Sequence, residues 1–213
     1  MFASREDAGQ RLGQYLKEQG TQADLVLGLP RGGVIVAARV AHALQVPLGV
    51  LVVRKIGHPW HREFAIGAMA EKDVVVLDEQ VIGRNPLIRT ELNEIIEEEK
   101  ERLNSYQARF RQDPLDLTGK AVLIVDDGLA TGSTTEAAVL SAQKQQAAKV
   151  IVAAPIGSTS AIERLKKIAN DVCVLWIDPE FDAVGRYYEV FSQATDEEVV
   201  DLLRADRREE YDA

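Results

Sequence analysis

Apolar residues in this chain come in short unbroken runs separated by longer stretches of mixed polarity. Five runs stand out: LVLGL (25–29), LGVLVV (48–53), AVLIV (121–125), KVIVAA (149–154) and DVCVLWI (171–177). Runs that lack polar alternation predict strands covered on both faces, and hence a parallel sheet. The segments between them carry a helical period and predict helices over 33–44, 134–146 and 160–168, the last opened by a capping box of Ser160 and Glu163. A lead-in helix starts at Ser4, recurs through Ala8, Leu12, Tyr15 and Leu16, and stops at Gly20. This alternation predicts an α/β fold: a doubly wound, mainly parallel sheet of about five strands with helices on both faces. In such sheets ligands sit beyond the carboxyl ends of the strands, so candidate chemistry is sought there.

Two stretches break the alternation. A helical excursion with a flexible loop follows the second strand, over about 55–118, and holds a long charged helix from about Leu87 to Arg111. Ile88, Leu92, Ile96, Leu103, Tyr106 and Phe110 form its apolar stripe, and its EEEKER run reads as a solvated face. After Asp178 a small C-terminal hood, PEFDAVGRYYEVFSQ, gathers the late aromatics. Thr195 and Glu198 then cap a final helix through Leu203. The chain is expected to form one domain over 1–213, with its core over about 23–177 and the hood with its helix over about 178–206.

Composition narrows the possibilities. Lys and Arg total 25 against 34 Asp and Glu, a net charge of −9, so electrostatics oppose sequence-independent binding to nucleic acid or an anionic membrane. Any anionic ligand must meet a local positive site. The start of the chain has no signal-like apolar run, which predicts a cytoplasmic protein. Cys173 is the single cysteine; it excludes an internal disulfide and reads as an inert packed thiol.

The third strand carries the chemistry. It ends in Asp126 and Asp127, and Gly128 to Thr134 then form a small-residue turn into a helix. Backbone N–H groups and a helix N-terminus at such a turn hold a phosphate without a lysine, and Thr131, Ser133 and Thr134 add hydroxyl donors. Two carboxylates beside it would repel a bare phosphate but suit two neighbouring ribose hydroxyls. Together they describe a ribose 5-phosphate site. A Walker A loop is excluded because Gly132 precedes Ser133 with no lysine, and a dinucleotide fingerprint because Gly28 is followed by Pro30 and Arg31. Two further strand ends contribute. GLPRGG offers Arg31 for a diphosphate and glycines that let the backbone approach a ligand. Arg54 and Lys55 end the second run, followed by GHPWHREF.

The segment VLIV, Asp126, Asp127, GLA, Thr131, Gly132, Ser133, Thr134 resembles the signature of the type I phosphoribosyltransferases, and PRGG, RKIG, EFAIGA and F-AVG-YY resemble a stand-alone bacterial subgroup. The resemblance implies 5-phospho-α-D-ribose 1-diphosphate (PRPP) as ligand, with Asp126 and Asp127 at the ribose hydroxyls and Ala130, Thr131, Gly132, Ser133 and Thr134 around the 5-phosphate. It implies Arg31, Gly32 and Gly33 as a pyrophosphate loop aided by Arg54 and Lys55. His58, His61 and Arg62 become candidates to close over the diphosphate, and Phe181 to stack on a base, while Tyr187, Tyr188 and Phe191 are assigned to packing. Mg²⁺ is expected as a cofactor carried by PRPP, with no direct protein ligand. The expected reaction is phosphoribosyl transfer to a nucleobase or other nitrogen heterocycle with loss of diphosphate. A PRPP-responsive regulator and a phosphoribosyl hydrolase or phosphorylase stay open as alternatives. Hypoxanthine-guanine enzymes carry an Asp where this chain has Ala130, which disfavours a 6-oxopurine; adenine-like and orotate-like features otherwise conflict. A homodimer is compatible with the resemblance, and neither nucleic acid nor membrane is an expected partner.

Overall fold

The computed structural model describes residues 1–83, 86–111 and 114–212; side chains at 63, 80–81, 86–90 and 207–212 lie outside the description, so the expected stripe residue Ile88 is not placed. Ser4 accepts from the Asp7 N–H and opens α1 (Arg5–Glu18). The chain continues through β1 (Leu25–Gly28), α2 (Gly32–Leu44) and β2 (Leu48–Val50). Next come β3 (Val53–His58), β4 (His61–Ala70), β5 (Val74–Leu77), α3 (Glu79–Ile82) and α4 (Pro86–Phe110). β6 (Ala121–Val125), α5 (Ser133–Lys144), β7 (Lys149–Ser158), α6 (Thr159–Leu165) and β8 (Asp171–Asp178) complete the core, followed by a short 3₁₀ turn (Val184–Tyr187) and α7 (Asp196–Asp212). No helix among the described residues is long and apolar enough to cross a membrane.

Five strands form one parallel sheet in the order β2-β1-β6-β7-β8. Its apolar runs divide residue by residue between two cores, as a period of two requires. Val26, Leu123, Val125, Ile151 and Ala153 join Leu12, Leu16, Val34 and Val40 on the α1 and α2 face. Leu27, Val122, Ile124, Val150 and Val152 join Ala137, Val139, Ala142 and Leu165 on the α5 and α6 face. The chain winds outward to β2, then crosses back so that β6 lies on the other side of β1. The β1/β6 junction is therefore the topological switch point, where the loops after both strands diverge and leave a crevice.

Several sequence expectations are corrected. The run LGVLVV is two strands: Leu51 N–H donates to the Gly28 carbonyl, and from Val53 onward the chain pairs with β4 in a separate antiparallel sheet, β3-β4-β5. The expected flexible loop is thus a hairpin. The turn from β4 to β5 uses Lys72 and Asp73 at φ +63 and +54 rather than a glycine, so it carries no turn signature. The run DVCVLWI is an edge strand, leaving Trp176 44% and Ile177 49% exposed. Cys173 is only half-buried, although burial and the Asp171 charge push its thiol up to about 11. The α6 cap is Ser158 rather than Ser160: β7 runs four residues past the expected run, to Ser158, whose hydroxyl accepts from the Ala161 N–H. Thr195 and Glu198 do form a reciprocal box, but α7 extends to Asp212.

The switch from one sheet to the other is held by a buried charge. Glu71, 1% exposed, accepts the Val52 N–H at 2.8 Å and pairs with Arg111, while its own carbonyl accepts from Ser141. Removing one partner of a buried pair leaves the other uncompensated. Glu71→Ala is therefore expected to destabilise the fold by about 3–5 kcal/mol, read as a lowered urea midpoint at unchanged slope; a loss under 1 kcal/mol would contradict this role.

Candidate functional site

The loops after β1 and β6 meet in a cleft of about 910 Å³, within the range of small-molecule sites. Arg31, Gly32, Arg54, Lys55, Asp126, Asp127 and the whole turn from Gly128 to Thr135 line it, with Asp78, Arg164, Val184 and Gln193. Residues far apart in the sequence thus converge on one cleft. Gly33, His58, His61, Arg62 and Phe181 lie outside that lining.

The turn is held in place because β7 runs on past the end of β6. Past Val125 the chain is stitched to the end of β7: Leu129 N–H donates to Ile156, Ser158 N–H donates to Leu129, and the Ser158 hydroxyl donates to the Ala130 carbonyl at 2.6 Å. Gly132 then takes φ +76 beneath Ala161, a left-handed conformation that glycine adopts without a side-chain penalty. Ser133 starts α5 directly after it, so the turn leads straight into the N-terminus of a twelve-residue helix, whose first N–H groups lack intrahelical carbonyl partners. Thr131 and Ser133 side chains contact each other at 3.3 Å.

The two carboxylates are not equivalent. Asp127 pairs with the Nε of Arg5 at 2.7 Å, and both side chains are largely buried, at 16% and 9% exposure. Arg5 also donates to the Ser192 carbonyl and lies 3.8 Å over the Phe191 ring. Tyr188 donates its hydroxyl to the Asp127 carbonyl at 2.6 Å, and burial followed by the Asp127 charge holds that phenol well above its usual value. Among the described residues, no cation pairs with Asp126. Its carboxyl accepts the Asp127 N–H at 2.9 Å and is pushed up to about 8, first by burial and then by the neighbouring Asp127 charge, with Lys55 and Arg5 opposing.

The glycines after β1 serve this pair. A Cβ on Gly32 would fall 2.1 Å from the Asp127 carboxylate and 2.6 Å from Arg5, and one on Gly33 would fall 2.9 Å from the Asp126 carboxylate. They bring the turn backbone against the acidic residues, where the sequence suggested room for a ligand. The Pro30–Arg31 peptide is cis, and the Arg31 guanidinium lies 3.8 Å from Asp196, which also pairs with Arg109.

Arg54 and Lys55 are neighbours on a strand of the second sheet rather than the end of the parallel one. Adjacent strand residues project to opposite faces. Arg54 is held by Glu99 at 2.9 Å and lies over the Tyr106 ring, whereas Lys55 is exposed and its charge reaches Asp126. Glu99, expected on a solvated face, is buried between Arg54 and Arg102. His58 and His61 sit at the β3–β4 hairpin tip beside exposed Trp60 and Phe64, and Arg62 pairs with Glu98. Phe181 stacks on Tyr187 at 5.3 Å, and the hood residues on the cleft wall are Val184, packed against Gly128, and Gln193. Tyr187 and Tyr188 are buried, as expected, while Phe191 is 38% exposed. Arg5 and Arg164 gave no sequence signal, since each is a single cation on a helix far from the motif in sequence.

The phosphoribosyl transferase domain model matches residues 4–186. A Mycobacterium tuberculosis protein provisionally named a phosphoribosyl transferase is 42% identical over 205 residues, which is 95% of this chain and 46% of that protein. The chain thus spans about half the length of the curated relatives it matches. The crystal structure of TT1426 from Thermus thermophilus is 38% identical and superposes with a TM-score of 0.78, covering 95% of this chain and 97% of that one. A ribose-phosphate pyrophosphokinase of Pyrococcus furiosus is 40% identical over 78 residues, 36% of this chain and 28% of that enzyme.

The raised Asp126 carboxyl has a consequence for stability. An unfolded Asp loses its proton near pH 3.9, so from there to about pH 8 the folded chain binds more protons and stability falls as pH rises. Asp126→Asn removes this loss. Its melting temperature is expected to gain on wild type by several degrees between pH 5 and pH 8.5, at about 2–4 °C per kcal/mol for a chain of this size. An equal difference at both pH values, by scanning calorimetry, would contradict the assignment.

Proposed function

We propose, on the premise that the chain belongs to the phosphoribosyl transferase domain family, that it binds PRPP and transfers the 5-phosphoribosyl group to a nitrogen heterocycle with release of diphosphate. The observation that carries this is the convergence in one cleft of a phosphate-type turn, the Asp126–Asp127 pair and the Arg31 turn. Each part suits one portion of the ligand. The N–H groups and hydroxyls of Thr131 to Thr134 receive the 5-phosphate, as helix-terminal turns receive anions generally. Asp126 accepts from a ribose hydroxyl, and Asp127 is shared between that task and Arg5. Arg31 and Lys55 face the diphosphate; Arg54, bound to Glu99, acts through the position of β3.

In the reaction the anomeric C–O bond breaks with its electron pair leaving on diphosphate, and the lone pair of a ring nitrogen forms the new C–N bond from the other face. The departing charge is met by the cations and by the N–H groups of the Arg31 turn. The oxygen donors of Asp126 fit a hard divalent cation; Mg²⁺ entering on the diphosphate would lower the charge on the leaving group. Val184 and Gln193 supply the wall against which the acceptor would lie, and Ala130 leaves that wall without the acidic residue that suits a 6-oxopurine. His58 and His61, at the hairpin tip, reach the cleft only if the β3–β4 hairpin bends over it.

Calorimetric titration with PRPP and Mg²⁺ is expected to give saturable binding that Asp126→Asn weakens by about threefold to tenfold, the worth of one hydrogen bond. Incubation with a panel of bases should release diphosphate with at least one of them. Binding without turnover across the panel would favour a PRPP-responsive regulator, and ribose 5-phosphate formed without a base would favour a hydrolase. Unchanged affinity in Asp126→Asn would remove the assignment.

A further inference from the structure

We propose that Arg164, on α6, is a phosphate-binding residue of the turn, its guanidinium held in place by Glu136 so that its free edge meets the 5-phosphate. This rests on the sugar-phosphate assignment above and extends it to a residue that lies outside the motif in sequence and in the fold.

Arg164 lines the cleft together with Thr131 to Thr135. Its Nε pairs with the Glu136 carboxylate, and its Nη1 lies 3.3 Å from the Ser133 hydroxyl. Ser133 and Glu136 stand at the first turn of α5, so the guanidinium bridges α5 and α6 across the loop mouth. The bridge has a fixed register, because α6 is capped by the same Ser158 hydroxyl that donates to Ala130, and Ala161 packs on Gly132.

Arginine carries five N–H donors in one rigid plane, and fixing Nε on a carboxylate fixes where the others point. At 3.3 Å the contact to Ser133 is at the weak end of hydrogen bonding. A phosphate oxygen is a far stronger acceptor for the same donor. The loop N–H groups and the α5 terminus contribute only partial charge. Arg164 adds to the loop a full cation whose direction is preset, and Glu136 supplies aim at the cost of offsetting part of its charge. A side chain of this kind favours the doubly over the singly charged phosphate.

Binding of ribose 5-phosphate to wild type, Arg164→Gln and Arg164→Lys, at pH 5.5 and 7.5, tests this. A phosphate monoester loses its second proton near pH 6, so wild type is expected to bind more tightly at the higher pH. Asp126 is common to all three proteins and cancels in the comparison. Arg164→Gln should bind about tenfold to a hundredfold more weakly at pH 7.5 and lose most of the pH-dependent tightening, with Arg164→Lys between the two. A bridge that merely joins two helices would lower the ligand-free melting temperature and leave both affinities unchanged, which would overturn the proposal. Should Arg164→Gln fail to fold, unchanged affinity in Arg164→Lys would overturn it equally. Failure of wild type to bind ribose 5-phosphate at all would instead remove the sugar-phosphate assignment, and this inference with it.

Discussion

The ion pair between Arg5 and Asp127 is the junction on which the site's geometry depends. It joins the first turn of α1 to the end of β6, beneath a glycine whose replacement by any residue with a Cβ would collide with both partners. From Arg5 the contacts run on to the Ser192 carbonyl and the Phe191 ring, and from the Asp127 backbone to Tyr188. The first residues of the chain are themselves paired with this hood, Phe2 exchanging backbone hydrogen bonds with Tyr187 and Glu189. The acidic pair, the Arg31 turn, the first helix and the hood are therefore one mechanical unit. Charges so enclosed need partners, and here each partner belongs to a different part of the fold.

Once Asp127 is committed to Arg5, its neighbour is left in a different state. Burial and then the adjacent Asp127 charge hold the Asp126 carboxyl well above the usual carboxylate range. The cleft thereby holds a carboxyl able to take or release a proton near pH 8. On the opposite side, the phosphate-type turn is fixed by backbone pairing with an over-long β7 and by α6. The reacting groups of a ligand between them would meet surfaces held from both sides, which is what orientation of a substrate requires.

Much of this was legible in the sequence. The five buried runs reveal the sheet because a strand covered on both faces leaves no room for polar alternation, and the acidic pair with its small-residue turn marks the strand end that carries chemistry. The second sheet was hidden. Gly67, Ala68 and Ala70 are small residues packed against neighbouring strands and α5, so β4 lacks the bulky alternation that signals a strand, and the Lys72–Asp73 turn lacks the usual residues. Glu71 and Glu99 sat within charged stretches that ordinarily face water, and only the fold brings Arg111 and Arg54 to them. Arg5 and Arg164 were invisible for a related reason. A cation becomes a site residue through what the chain folds against it, and their partners lie 122 and 28 residues away.

A crystal structure of the chain with PRPP and Mg²⁺ tests the central claim most directly. The 5-phosphate is expected on the N–H groups of Thr131 to Thr134, a ribose hydroxyl on Asp126, and the diphosphate on the Arg31 turn, with the Arg5–Asp127 pair intact. Density for the sugar phosphate elsewhere, or a ligand whose diphosphate occupies the Thr131 turn, would contradict it.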